Sequence, residues 1–298
     1  MPQRCIPSFR LCHARKGSVP VVLSSPHSGQ RYPEVMLAAL KVARSELRAL
    51  DDGPVDSIVE HACEDGAAVI AAEYARAYVD LNRDPGELDP VLFGAAAESA
   101  GWRFSAKVRA GLGVIPSRLG SDAIYREPLA PGEIHRRLTE AYFPYHCELA
   151  RLLALSREDF GTALLLDCHS MPSMAGRDVA PRPIDIALGD RFGRTCRADL
   201  VDVAHRLLAA RGFRVARNRP YAGGFITEHY GRPAKGVHTL QIEIRRGLFM
   251  DERSHVPHEG MSYLRHCMRE LVSELGCTLA GRRCPPLGSR TGLELATA

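Results

Sequence analysis

The 298-residue chain predicts an α/β fold, with a mostly parallel or mixed sheet covered by helices on both faces. Three observations carry that expectation. Short apolar runs alternate with helical patterns along the chain. Several of these runs stay apolar until a polar exit, as buried strands do. Three of them finish in reactive groups, "SSPHSG", "LLLDCHS" and "DLNRD". Ligands in open α/β sheets gather beyond the carboxyl ends of the strands, so that coincidence is the first functional signal.

Taken in order, "VPVVLSS" (19–25) reads as a buried strand. "YPEVMLAALKV" (32–42) and "VDSIVEHACEDG" (55–66) read as helices, the second closing at Gly66. "AAVIAAEY" (67–74) and "AYVDLNR" (77–83) are expected to be short strands. Residues 85–131 are rich in Gly, Pro and Ser and predict long loops with little regular structure. A long helical pattern covers 131–156, with Pro144 expected to kink it or split it in two. "TALLLDCHS" (162–170) is a second apolar strand ending in a histidine. "PIDIALGD" (183–190) and "FRVARN" (213–218) are further strands, on either side of the helix 197–212, which stops at Gly212. "VHTLQIEIRR" (237–246) is a strand of mixed pattern, and 257–276 a helix closed by Gly276. We read one domain over 1–298, with a core of about 18–276 and a peripheral Pro/Gly/Arg-rich tail over 277–298.

Composition narrows the function. With 45% hydrophobic and 25% charged residues the chain is close to the globular average, and a well-filled core is expected. Its formal charge is +4, and no basic block with interleaved aromatics occurs, which argues against a nucleic-acid partner. All basic residues other than Lys16, Lys41, Lys107 and Lys235 are arginine. No run approaches membrane-spanning length, and the N-terminus lacks the apolar stretch of a signal peptide, so no membrane partner is expected. The nine cysteines are scattered without a C-x-x-C pair. Reduced thiols and a cytoplasmic location are therefore expected. Oligomeric state is not legible here.

Two strand-end histidines, His27 and His169, are each followed by serine and preceded by an apolar run. Either alone is ordinarily a turn residue; together, on neighbouring strands, they could converge on one ion. A catalytic zinc commonly takes three protein ligands, so a third donor is required. "LDDGPVDSIVEH" offers Asp51, Asp52 and Asp56, one of which could instead cap the following helix. Spacing alone does not choose among them. Glu243 lies between Ile242 and Ile244 in an apolar strand, so it faces away from both. A buried carboxylate is costly unless paired or functional, which leaves a salt bridge or a general base beside a metal.

"DLNRDP" supplies Asn82 and Arg83, a turn signature or a fork for a substrate carboxylate. "YAGGFITEHYGRP" is a Gly-rich loop whose Gly224 and Thr227 are candidate substrate contacts, with Arg232 a possible second carboxylate clamp. A serine hydrolase built on Ser28 or Ser170 is disfavoured, because no G-x-S-x-G elbow is present. Cys168 faces away from His169 on a strand and is expected to be a packed thiol.

The motifs "SSPHSGQRYP", "DDGPVDSI", "YVDLNRDP", "LLLDCHSMPS", "NRPYAGGFITEHYGRP" and "VHTLQIEIRRGLFMDE" together resemble the N-formylglutamate amidohydrolase family, in order from about residue 20 to 255. The family is related to the zinc carboxypeptidases and the aspartoacylases. The resemblance implies a three-layer α/β/α fold with a mixed, mostly parallel twisted sheet and the metal at the strand ends. It implies zinc, or another divalent ion, on His27, Asp52 and His169, with Glu243 as general base. It makes Asn82 and Arg83 the holders of a substrate carboxylate, Arg83 being counted with Glu243 in the catalytic set. The implied reaction is hydrolysis of a linear amide in a small N-acyl acidic amino acid, in the simplest case N-formyl-L-glutamate in histidine degradation. Other readings remain: a deacylase or carboxypeptidase for another N-acyl amino acid or small peptide, or a non-catalytic binding protein. The stretch 109–129 should line the mouth of the site.

Overall fold

A computed structural model describes residues 7–12, 19–94, 102–175 and 183–281. Its centre is a seven-stranded mixed sheet. The strands are β1 (Phe9–Cys12), β2 (Val21–Ser25), β3 (Ala68–Ala72), β6 (Ala163–Met171), β7 (Ile186–Gly189), β8 (Val215–Arg217) and β9 (Val237–Arg245). A separate two-stranded pair is formed by β4 (Arg118–Leu119) and β5 (Asp122–Ala123). In the large sheet the order is β1-β3-β2-β6-β9-β7-β8. Four neighbouring pairs are parallel, and only β1 on β3 and β7 on β9 run antiparallel. The predicted fold is thus the observed one.

Helices cover both faces. On one side α2 (Val55–Val59), α6 (Ala198–Ala210) and α8 (Gly260–Leu279) pack Val55, Leu200 and Leu271 onto Leu23, Leu166 and Ile242. On the other, α1 (Glu34–Ala39), α5 (Phe143–Phe160) and α7 (Phe225–Tyr230) pack Met36, Leu149 and Ile226 with Val22, Ile70 and Leu165. Strand side chains alternate between faces, so consecutive residues of β6 feed the two cores in turn. The nine residues of β6 are all buried, which explains why it reads as one apolar run rather than as an alternating pattern.

Several expectations need correction. The segment 77–83 is a turn and not a strand: Tyr78 N–H donates to Ala75 O and Asp80 N–H to Val114 O, at 2.8 and 2.7 Å. Its apolar residues Tyr78, Val79 and Leu81 are buried as a strand's would be, which is what imitated one. Strand β1 was not expected; it is a short edge strand whose half-exposed residues give no apolar run. The helical pattern 131–156 becomes α4 (Pro131–Arg137), a π turn over Leu138–Tyr142 and α5, with Pro144 in the first turn of α5 where its missing N–H costs nothing. Gly276 does not end α8; it lies inside the helix, packed on Val19, and the helix runs on to a buried Leu279. The tail expected over 277–298 therefore begins as core helix, and residues 282–298 lie outside the described residues.

The cysteines also differ. Cys12, closing β1, and Cys63, in the 3-10 turn after α2, form a disulfide with Cα atoms 6.0 Å apart. Fifty-one residues separate them in sequence, so their meeting depends on β1 pairing beside β3. The premise of wholly reduced thiols fails for this pair. Among the described residues no helix is long and apolar enough to cross a membrane.

Because β6 is central, its truncation should be felt throughout the sheet. Leu166→Ala, at a fully buried position, is expected to destabilise the fold by about 3 kcal/mol. Urea unfolding measures this, and a midpoint unchanged from wild type would show that Leu166 does not bear on the core.

Candidate metal and active site

The site lies at the carboxyl ends of the parallel strands. His27 follows β2 by two residues, His169 is near the end of β6, and Glu243 is near the end of β9. His169 and Glu243 are direct partners in the β6–β9 register, so both point to the same face of the sheet. Asp52 arrives on the loop before α2, where its backbone N–H donates to His27 O at 3.2 Å.

Small residues beside His27 hold its loop in place. Ser28 Oγ contacts Ser25 Oγ at 2.6 Å and accepts from the N–H of Asp56 in the first turn of α2 at 3.1 Å. A Cβ on Gly29 would stand 2.1 Å from the carbonyl oxygen of Tyr74, so only glycine lets the loop pass. Ser170 Oγ donates to Asp52 O at 2.6 Å, and Arg246 donates to Ser170 Oγ and Asp51 O at 3.0 and 2.7 Å. The serines are ties between loops. Cys168, on the opposite face, is a fully buried thiol whose pKa burial pushes well up.

Two imidazoles and one carboxylate meet. His27 Nδ1 and His169 Nδ1 are 3.1 Å apart, and they lie 3.3 and 2.9 Å from Asp52 Oδ2. All three residues are buried, and they form the one group of candidate metal ligands found among the described residues. The remaining imidazole nitrogens are held from behind. His27 Nε2 is 2.8 Å from Asp80 Oδ1, and His169 Nε2 is 3.1 Å from Asp167 Oδ1. Carboxylates so placed fix a protonated Nε2 and leave Nδ1 as the free donor, an arrangement seen behind metal-bound histidines. Two nitrogens and an oxygen in one small buried cluster fit a zinc-type ion with an open fourth position.

The charges balance only as a set. Burial alone would raise the Asp52 pKa, but His27 and the hydrogen bond from His169 outweigh it and hold it well below the usual range. Asp80 is treated likewise by Arg76, Arg83 and His27, with Arg76 Nε 2.9 Å from Asp80 Oδ2. Burial pushes the Glu243 carboxyl up to about 8; His169 pulls it down while Asp52 and Asp167 push it up. Gln241 Nε2 donates to Glu243 Oε1 at 2.9 Å and fixes its orientation.

The other expected residues divide. Asn82 is at the site, with Nδ2 3.0 Å from His169 Nε2 and Oδ1 accepting from Ile226 N–H at 2.7 Å. Arg83 donates to Leu112 O and Asn82 O at 3.0 and 2.9 Å, and its Nη2 has no partner among the described residues. Gly224 closes against the Asn82 amide, which a Cβ there would meet at 2.5 Å. Thr227 is fully buried, 3.3 Å from both Asp167 Oδ2 and Gln241 Oε1, and reaches the site only through those groups. Arg232 is not brought to the site. Its guanidinium closes the end of α7 on Glu228 O, and its backbone pairs with Val237 at the opposite end of β9 from Glu243. A loop that reads as continuous in sequence spans both ends of the sheet.

Sequence reasoning missed Asp80, Asp167, Arg76 and Tyr221. Asp167 is two residues before His169 and so shares its face, a signal that was available. Asp80 precedes Asn82 in the same turn and accepts from its N–H at 2.9 Å. Arg76 and Tyr221 carry no local signal; Tyr221 is placed within electrostatic reach of Glu243, Arg246 and Asp52 by its loop.

A family model described as N-formylglutamate amidohydrolase matches residues 19–250, which contain every residue of the cluster. The chain belongs to the N-formylglutamate amidohydrolase family. It is 34% identical over 267 residues to an N-formylglutamate deformylase of Pseudomonas aeruginosa, covering 88% of this chain and 92% of that one. A second N-formylglutamate deformylase, from Pseudomonas putida, is 34% identical over 243 residues, or 80% and 84% of the two chains. The crystal structure of N-formylglutamate amidohydrolase from Ralstonia eutropha superposes with a TM-score of 0.87 at 35% identity, over 92% of this chain and 99% of that one. A gene product of Agrobacterium tumefaciens shares the fold at a TM-score of 0.63 and 18% identity, covering 92% and 98% of the two chains.

Removing a carboxylate from behind one imidazole tests the metal reading in this family member. Asp80→Asn is expected to lower divalent-ion affinity about 10- to 100-fold with the far-ultraviolet circular dichroism unchanged. Chelator competition reads the affinity, and wild-type binding would show that Asp80 does not orient His27.

Proposed function

We propose that this protein is a zinc-dependent hydrolase of N-formyl-L-glutamate, producing formate and L-glutamate. The observation that carries it is the convergence of His27, Asp52 and His169 beside Glu243 at the strand ends, in a chain of this family. The family relatives named as deformylases support the substrate.

What a divalent ion supplies when bound to this cluster is Lewis acidity toward the amide carbonyl and a lowered pKa for an attacking water, from about 15.7 toward 7. The chain's own residues do the rest. With a cation's charge offsetting the burial that raises its pKa, an ionised Glu243 would accept a proton from the attacking water as the water oxygen bonds to the formyl carbon, and would pass it to the glutamate nitrogen as the C–N bond breaks. Gln241 keeps Glu243 aimed during both transfers. Arg76, whose Nη2 has no partner among the described residues, stands within 3.9 Å of Asp52, where its charge stabilises the developing oxyanion. Arg83, beside Asn82 and with no Nη2 partner among the described residues, takes the carboxylate next to the amide. The burial of both imidazoles keeps these interactions in a low-dielectric setting, where they act most strongly.

A non-catalytic metal or amino-acid binder would have no use for a buried Glu243 that forms no ion pair among the described residues and is held by Gln241. Formate release from N-formyl-L-glutamate by the zinc-loaded protein is the direct test, and a chelator should abolish it. Glu243→Gln is expected to lower kcat by about 10²- to 10⁴-fold while the protein retains its metal. Wild-type turnover in that variant would remove Glu243 from the reaction, and absence of turnover in the zinc-loaded wild type would overturn the substrate assignment.

A further inference from the structure

We propose that Lys107 is a specificity-determining residue that binds the distal carboxylate of the substrate, so that the site selects N-acyl amino acids with an acidic side chain. This rests on the amidohydrolase reading above. N-formylglutamate carries two carboxylates, and Arg83 can take only the one beside the amide. A second anion entering a buried site needs its own cation.

The cations around the site can be sorted by whether they already have partners. Arg76 is matched by Asp80 at 2.9 Å. Arg246 donates to Ser170 and to the Asp51 carbonyl. Arg232 lies at the other end of β9. Arg103 pairs with Asp84 at 3.1 Å, facing away into solvent. Lys107, in the loop that reaches Arg83, makes neither a hydrogen bond nor an ion pair through its side chain among the described residues.

Its position is nevertheless fixed. Lys107 lies in α3 (Ala106–Arg109), a single turn started by Ser105, whose Oγ accepts from Val108 N–H at 3.2 Å. Val108 is buried and anchors the turn. Lys107 O accepts from Leu112 N–H at 2.8 Å, and Leu112 O in turn accepts from Arg83 Nε at 3.0 Å. Two hydrogen bonds thus couple the Lys107 backbone to the guanidinium that holds the first carboxylate. The next segment is tied equally closely, since Val114 O accepts from the N–H of Asp80 at 2.7 Å. The Lys107 ammonium stands within electrostatic range of Arg83, Arg76 and Asp80.

Lys107 is exposed, and an ammonium within electrostatic range of two guanidinium groups gains from an added anion. Partial burial first, then Arg83 and Arg76, push its pKa down, and Asp80 and Glu87 only partly oppose them. Glu87 is engaged elsewhere, accepting from the Asp84 N–H at 3.3 Å. A dicarboxylate substrate relieves that repulsion by placing one anion on Arg83 and the other on Lys107. The loop that carries Lys107 thereby reads the substrate's side chain, while the strand ends hold the reacting amide. A four-carbon stem with a compact charge suits a group that must reach a flexible side chain, whereas the rigid Arg fork suits the fixed one. If Lys107 only placed a favourable charge near the end of α3, it would affect stability and not selectivity.

The test compares zinc-loaded wild type, Lys107→Met and Lys107→Arg on N-formyl-L-glutamate and N-formyl-L-glutamine, which differ in the charge of the distal group. The wild-type preference for the glutamate substrate in kcat/KM should fall about 10- to 100-fold in Lys107→Met, through KM rather than kcat, and Lys107→Arg should restore most of it. An unchanged preference in Lys107→Met, or equal losses on both substrates, overturns the proposal. Calorimetric binding of L-glutamate and L-glutamine to the same proteins separates it from the catalytic reading. If the wild type releases no formate yet prefers L-glutamate through Lys107, the hydrolase reading fails and the Lys107 assignment stands; equal wild-type affinities for the two amino acids overturn Lys107.

Discussion

The structure depends on one charge arrangement: two imidazoles whose inner nitrogens face a shared carboxylate and whose outer nitrogens face two others. Asp52 stands between His27 and His169, with Asp80 and Asp167 behind them. Five ionisable groups in a buried cluster would be prohibitive if any lacked a partner. Each therefore has one, and the partners extend outward to Arg76, Arg246, the Asn82 N–H and Thr227. Loss of any member leaves a buried charge or donor unmatched, so the cluster is rigid without a single strong bond inside it.

That arrangement explains features far from it. The sheet must be parallel across β2, β6 and β9, because only then do His27, His169 and Glu243 emerge at one end. Side-chain alternation must place Asp167, His169, Gln241 and Glu243 on one face while Leu166, Cys168 and Ile242 feed the other core. A register shift of one residue along β9 would turn Glu243 into the apolar layer beneath α8. The turn 77–83 and the loop before α2 are shaped by the same demand. Both lack regular structure because each must deliver an aspartate inward rather than continue a ladder.

Loops beyond the strand ends divide the remaining work. The β-strands hold the groups assigned to the reaction in the proposed function, where small displacements are costly to rate. The segment around α3 holds Lys107 and accepts the Arg83 guanidinium through Leu112 O. A cation on such a loop can be altered without disturbing the His27–Asp52–His169 cluster. Enzymes on this kind of sheet can thus change the substrate side chain they read while keeping the chemistry.

The fold class, most strands and the placement of His27, His169 and Glu243 at strand ends were legible in the sequence, because each depends on local pattern: an apolar run, its polar exit, and alternation within a strand. Family resemblance singled out Asp52 from Asp51 and Asp56, which spacing left equivalent. Other features needed distant segments to meet. The Cys12–Cys63 disulfide exists because an edge strand pairs beside β3, Arg232 misses the site because its loop crosses the sheet from end to end, and Lys107 gains its setting from Leu112 and Arg83. Sequence determines what each residue can do chemically and which way a strand presents it. Only tertiary structure decides which charges become neighbours, since electrostatic interaction depends on distance and burial, and neither is written in the order of the chain.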